Sequence, residues 1–278
     1  MQTGQPSRTA LGVAGLRAAH QVLDHAAIFT DPLALRILGA DAEAMVRDAE
    51  TDIARQRLRW FIAIRTRIAE DALAAVQNGV RQLVVLGAGL DTYAYRAPPS
   101  DDLRIFEVDH PLTQAWKRER LADAAIATPA TLRFVPVDFE HEALADGLAA
   151  AGFDPAQQTF FSWLGVVPYL TEQAVFATLG FIAGLPGGAH VVFDYVNPTA
   201  SIVEESRRAA HEALAARVAA LGETIQCHFD SETLRAQLAE LGFRDVEDLG
   251  PGQIAQRFFP GRVTASGGGA HVLRATTV

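Results

Sequence analysis

The chain predicts an α/β fold in which a mostly parallel sheet is flanked by helices. Three observations carry that reading. Short apolar runs alternate with helical segments from Gly79 onward. Those runs are too apolar for a solvent-facing sheet, as strands covered on both faces are. The residues before Gly79 carry helical patterning and no convincing strand. Strands separated by helices in this way imply parallel crossover units with helices on both sides of the sheet.

The elements follow in order. Asp31-Pro32 offers an N-cap and a first helical turn. Between Thr51 and Gln77, the residues Ile53, Trp60, Phe61, Ile64, Ile68 and Val76 recur on one helical face, and Asn78-Gly79 ends that helix. The run from Gln82 to Leu86 is the first strand and is followed by Gly87-Ala88-Gly89. Arg104 to Val108 is the second strand, with a helix from Pro111 to Ala127. Leu132 to Val137 is the third, with a helix from His141 to Ala151. Thr159 to Leu164 is the fourth, after which Thr171 caps a helix, and His190 to Tyr195 is the fifth. Phe243 to Leu249 and His271 to Thr277 read as a terminal antiparallel pair joined by a long Gly- and Pro-rich loop. No repeat or linker divides the chain. The expectation is a single domain over 1–278, with 1–79 as a helical cap or lid and 80–278 as the core, carrying a helical insertion at about 197–222 that flanks the acceptor site.

Composition narrows the function. A chain of 278 residues is long enough to bury roughly 75% of its unfolded surface. A formal net charge of −9 argues against nucleic acid and anionic membranes as partners. The single cysteine, Cys227, excludes an intramolecular disulfide framework and a thiolate zinc site. The histidines show no metal-ligand spacing, so no metal is expected. No run reaches the roughly 18 apolar residues of a membrane span, and the opening lacks a secretory pattern. These features predict a soluble, cytoplasmic protein, a monomer or homodimer.

Three strand ends carry the chemistry. Gly87-Ala88-Gly89 lets the backbone turn and lets a ligand approach. The full dinucleotide fingerprint has a third glycine at the position of Thr92. Asp109 follows Gly89 by twenty residues at the end of the second strand, a spacing that suits ribose hydroxyls; a helix N-cap before Pro111 is its other reading. Asp138-Phe139 closes the third strand, suited to an adenine amine and ring, or again to a helix cap. Together these ends outline a nucleoside pocket without a diphosphate cradle.

Arg65-Thr66-Arg67, the block from Leu86 to Arg96, Phe106-Glu107-Val108-Asp109-His110-Pro111 and the block from Ser162 to Thr171 resemble the leucine carboxyl methyltransferase family. Many of its bacterial members are S-adenosylmethionine-dependent O-methyltransferases, and the likeness runs from about Arg8 to the C-terminus. The resemblance implies a Rossmann-like class I methyltransferase with a seven-stranded sheet, a terminal hairpin and an N-terminal helical cap. It implies S-adenosyl-L-methionine as cofactor, with Arg65 pairing with its carboxylate as a bidentate fork can. Gly87 and Gly89 would give room for the methionyl part, Asp109 would hold the ribose, and Asp138 and Phe139 the adenine. Arg8 and Arg17 are further candidates for the carboxylate, and Ser7 and Thr9 for contacts there or for simple caps. A surface or interface ion pair is the other reading of Arg65.

One position departs from the family. Protein-carboxyl methylating relatives have a Glu where Leu164 stands, which points towards a small-molecule acceptor. A carboxylate acceptor needs no base, whereas a phenol or alcohol does. Tyr169, Tyr195 and Trp163 are assigned to the acceptor pocket, with Trp60 as a further lining residue. His110 and Asp194 are the remaining polar candidates near strand ends, and no base is assigned. A nicotinamide-dependent oxidoreductase and a non-catalytic S-adenosylmethionine-binding protein are the alternatives.

Overall fold

The computed structural model describes residues 7–50, 53–98, 102–139, 141–220, 224–261 and 268–278. Seven strands form one sheet: β1 (Gln82–Leu86), β2 (Arg104–Asp109), β3 (Leu132–Pro136), β4 (Thr159–Trp163), β5 (Ala189–Val196), β6 (Arg244–Leu249) and β7 (Ala270–Thr276). Their spatial order is β3-β2-β1-β4-β5-β7-β6. The first five are parallel, while β7 pairs antiparallel with both β5 and β6.

Each strand end falls within a residue or two of its sequence expectation; β1, β4 and β5 show why, since a parallel strand buried on both faces is a short apolar run. Its side chains alternate between the faces. Val84, Leu86, Phe106, Phe161 and Phe193 join one buried cluster with Leu148 of α6 (Leu144–Ala150) and Leu179 of α7 (Glu172–Ala183). Leu83, Val85, Ile105, Phe160 and Val192 join the other, with Ile64 and Ile68. Those two isoleucines lie on α3 (Ile53–Val76), the long N-terminal helix. The sheet is thus wrapped on both sides.

The remaining helices are α1 (Arg8–Leu23), α2 (Ala42–Glu50), α4 (Tyr93–Arg96), α5 (Pro111–Asp123), α8 (Glu205–Ala220), α9 (Ser231–Glu240) and α10 (Pro251–Phe258). The connection between β6 and β7 therefore holds a helix. Gly250 and Pro251 start it as N-cap and first helical residue, positions that tolerate both types. Asp31 also differs from expectation. It heads a turn rather than a helix: its Oδ1 accepts from Leu33 N at 2.9 Å, and its Oδ2 accepts from the Thr92 hydroxyl at 2.7 Å. Arg17 Nε lies 2.9 Å from the same oxygen.

Charged groups bind the N-terminal helices to the body. Ala14, Ala18, Ile37 and Leu38 pack with Leu90 and Leu121, so this segment shares its apolar contacts with the sheet domain. Arg96 forks onto Glu70 and stacks on Phe29, with its guanidinium carbon 4.8 Å from the ring centre. Lys117, the one lysine in the sequence, is buried with Glu107 at 2.7 Å, and Tyr95 donates its hydroxyl to that carboxylate at 3.1 Å.

Asp24 is the junction between α1 and α3. Its carboxylate accepts from Arg59 at 2.7 and 2.9 Å and from the Trp60 indole at 3.0 Å. The His20 ring, which takes the amides of Ile28 and Phe29 on Nε2, places Nδ1 2.8 Å from it. Burial pushes this carboxyl up, but the hydrogen bonds from Arg59, Trp60 and His20 outweigh it and hold the group at about 2. Asp24→Ala is expected to cost about 3 kcal/mol in urea unfolding at neutral pH, because it strands Arg59. Below the ordinary carboxylate value the unfolded chain takes up the proton first. The contribution of Asp24 is therefore full above about pH 4 and lost as pH falls through about 2. Unfolding midpoints measured across that range should converge for the two proteins.

Candidate functional site

The order of the sheet reverses between β1 and β4, since β1 leads on to β2 and β3 on one side while β4 leads to β5 on the other. Ligands of open parallel sheets sit beyond the carboxyl ends of the strands at such a point. A cavity of about 1150 Å³ opens there, larger than the roughly 300–1,000 Å³ of ordinary single-ligand pockets. The turn after β1, the ends of β2 and β3 and the segment after β4 form its floor, and α1 and α3 help to wall it.

At the end of β2, Asp109 lines the cavity and accepts from Gly89 N at 2.5 Å and from His110 N at 2.7 Å. Burial pushes its carboxyl up, and the amides of Gly89 and His110 pull against that. The capping role open to Asp109 in the sequence is taken by His110, whose Nδ1 accepts from Leu112 N at 3.2 Å. That leaves the Asp109 carboxylate to tie the glycine turn to β2 at the cavity wall.

Gly87 has a φ of +64°, in the left-handed region, and a Cβ there would sit 2.3 Å from Val166 Cγ2. A Cβ on Gly89 would meet Ala10 Cβ on α1 at 3.2 Å. Both glycines line the cavity, and in both the direction a Cβ would take is met by protein atoms. Thr92, where a dinucleotide fingerprint has its third glycine, donates to Asp31 and accepts from Arg96 Nε at 3.1 Å. A structural hydroxyl has replaced the glycine, which removes the sequence argument for a dinucleotide.

Asp138 and Phe139 line the cavity beyond β3. Asp138 heads a local turn, its backbone oxygen accepting from His141 and Glu142, while its Oδ2 lies 3.1 Å from His141 Nδ1. Helix α6 starts later, at Leu144, so Asp138 is not its cap.

Arg65, on α3, is buried and lines the cavity. Its Nη1 donates to Asp194 Oδ2 on β5 at 2.8 Å, so Arg65 is ion-paired, but in the interior rather than at the surface, while still facing the cavity. Arg17 also lines the cavity, but its guanidinium is committed to Asp31 and to the Leu90 carbonyl. Arg8 is exposed and does not line the cavity, and Ser7 caps α1 through Ala10 N at 3.1 Å.

The acceptor assignments separate. Tyr169 and Leu164 line the cavity. Trp163 and Tyr195 do not: both lie in the core, 0% and 1% exposed. Trp163 shares its side of β4 with Phe161, and Tyr195 its side of β5 with Phe193, so both turn away from α3. The Tyr195 hydroxyl donates to Asp248 at 2.7 Å and meets Ser231 at 2.8 Å and His271 at 3.2 Å. Burial raises this phenol. Trp60 donates to Asp24 and packs on Phe259, outside the cavity lining. No described residue of α8 lines the cavity either, whereas Thr224 and Gln226, which follow it, do. The parity of strand positions was the signal that separates Trp163 from its neighbours Ser162 and Leu164, which do line the cavity.

Among the described residues, no group of His, Cys, Asp and Glu could hold a metal ion, and no helix is long and apolar enough to cross a membrane. The strand order with its antiparallel β7, and the cavity at the β1/β4 reversal, are those of the class I methyltransferase fold. The chain belongs to the leucine carboxyl methyltransferase family, whose pattern matches residues 10–183. YktD of Bacillus subtilis, named by inference an S-adenosyl-L-methionine-dependent methyltransferase, is 37% identical over 187 residues, 66% of this chain and 60% of that protein. A Mycolicibacterium smegmatis protein named in the same way is 34% identical over 79% of this chain and 74% of its own length. The match thus spans about three fifths of the Bacillus relative. A methyltransferase-like structure from Thermobifida fusca superposes with a TM-score of 0.56 at 16% identity, covering 98% of this chain and 96% of that one. Magnesium protoporphyrin IX methyltransferase of Synechocystis, solved with bound S-adenosylhomocysteine, gives 0.51 at 10% identity over 96% and 100%. At such identities these structures speak for the fold.

Gly87→Ala is expected to destabilise the fold by at least about 1–2 kcal/mol from the left-handed backbone alone. The clash with Val166 adds to that. In denaturant unfolding, Gly87→Ala with Val166→Ala should recover part of the loss, since only the steric share is relieved.

Proposed function

We propose that this chain is an S-adenosyl-L-methionine-dependent O-methyltransferase whose acceptor is the carboxylate of a small molecule. The observation that carries the reading is the convergence of Arg65, Asp109 and the Asp138-Phe139 pair on one cavity at the sheet's reversal point. These residues fit the cofactor: Arg65 keeps guanidinium nitrogens without a hydrogen bond among the described residues, as a receptor for a carboxylate would. Asp109 offers oxygens to ribose hydroxyls. Asp138 would accept from the adenine amine, with Phe139 against the ring.

Bound S-adenosyl-L-methionine supplies a methyl group on a positive sulfur, and its transfer to oxygen leaves a neutral thioether. The protein's contribution is alignment and exclusion of water. Positioning of this kind supplies roughly 7–11 kcal/mol of barrier lowering. Leu164, Val166 and Tyr169 form a largely apolar wall where an acceptor would lie.

The preference for a carboxylate over a hydroxyl rests on what the cavity's acids are doing. Asp48 pairs with Arg55, Asp91 accepts from Tyr93 N at 2.8 Å, Asp109 holds two amides and Asp138 engages His141. Each described carboxylate that lines the cavity already holds a hydrogen-bond or ion-pair partner, and of the lining histidines His110 uses Nδ1 on Leu112 N while His141 turns Nδ1 to Asp138. A carboxylate acceptor is ionised near neutral pH and requires no base. Leu164, in place of the family's glutamate, supports a small molecule rather than a protein terminus.

Incubation with methyl-labelled S-adenosyl-L-methionine and a panel of small acids, phenols and alcohols tests the reading. Label is expected in a product that mild alkali releases as methanol, as an ester does and an ether does not. Asp109→Ala should abolish the thermal shift given by S-adenosylhomocysteine. A shift with NADH and none with S-adenosylhomocysteine would overturn the proposal.

A further inference from the structure

Asp194 is the least expected group near the site. It is 4% exposed, lies on β5 and contributes nothing to the cavity lining. Both its oxygens are used: Oδ2 accepts from Arg65 Nη1 at 2.8 Å, and Oδ1 accepts from Gly165 N at 2.5 Å. A carboxylate so engaged is a poor general base, the role left open for it in the sequence.

Gly165 completes the arrangement. Its φ is +74°, and a Cβ built there would lie 2.5 Å from Arg65 Nη2 and 3.0 Å from both Cζ and Nη1. The guanidinium, Nη2 foremost, therefore occupies the space that a side chain at position 165 would need. Phe61 flanks it too, its ring centre 6.0 Å from Cζ. Nη1 of Arg65 is anchored by a carboxylate, Nη2 sits where a side chain at Gly165 would be, and no other hydrogen bond is made among the described residues. The backbone turn after β4 and the orientation of Arg65 are thereby set by the same side chain.

We infer that Asp194 and Gly165 form a cradle that presents the free edge of Arg65 to the amino-acid carboxylate of the cofactor, Asp194 acting as a positioning residue. This rests on the function proposed above. A guanidinium has five donors in a fixed fork, so holding one nitrogen fixes where the others point. The cradle thus acts on the carboxylate end of the ligand and leaves the nucleoside end to Asp109.

Calorimetry on the full chain tests this with two probes, S-adenosylhomocysteine and 5′-methylthioadenosine, which lacks the carboxylate. Asp194→Asn should weaken the first by about tenfold or more, the loss of a charge-assisted hydrogen bond, and leave the second unchanged. Equal weakening of both probes would make Asp194 merely structural and overturn the inference, as would no change in either. If Asp194→Asn does not fold, Gly165→Ala, which displaces the guanidinium and keeps the carboxylate, should show the same selective loss. Failure of the wild-type chain to bind S-adenosylhomocysteine would instead overturn the proposed function, and the cradle with it.

Discussion

Everything in the site depends on the reversal of direction between β1 and β4. Neighbouring parallel strands that leave towards opposite sides of the sheet open a gap that neither connection covers. Gly87, Asp109 and Gly165 border that gap because each closes a strand of the sheet's middle or follows one within two residues. The hydrogen bond from Gly89 N to Asp109 joins two of these ends, and the bond from Gly165 N to Asp194 joins two more. Each pair couples a strand's last carboxylate to its neighbour's turn.

The N-terminal helices supply the third wall, and the way they are fastened explains their composition. Asp24 and Asp31 are acidic centres surrounded by arginines and hydrogen-bond donors from distant parts of the chain. A buried ion pair is seldom a net gain over well-packed apolar groups, but a half-broken one is costly. Such junctions define one docking geometry sharply. Asp31 reaches the loop after β1 through Thr92, so the same residue that departs from the dinucleotide pattern fastens the cap.

Much of this was legible in the sequence. The parallel strands stand out because most of their residues are apolar and buried, β1, β4 and β5 on both sides, and Asp109 because it closes such a strand at a telling distance from Gly89. What stayed hidden depended on parity and distance. Trp163 and Tyr195 sit near strand ends, yet each is one position from residues that point the other way, so proximity in sequence misplaced them. Asp194 has the opposite parity to Phe193 and Tyr195, which turns it to the side where Arg65 lies, 129 positions earlier. No local pattern encodes a contact of that span. The helix Pro251–Phe258 was masked by flanking Gly and Pro, residues that signal loops and helix starts alike.

The burial of Lys117 against Glu107 has a consequence for the whole exterior. It takes the sole ammonium side chain out of water, at 1% exposure, and leaves arginine and histidine as the cationic side chains of the described surface. Guanidinium groups keep their proton far into the alkaline range, whereas ammonium groups begin to lose theirs near pH 10, by the reference value of about 10.4. The positive charge on this surface is therefore close to constant through alkaline conditions that would discharge a lysine-rich one. Reagents that acylate side-chain amines find their target behind a wall of packed side chains.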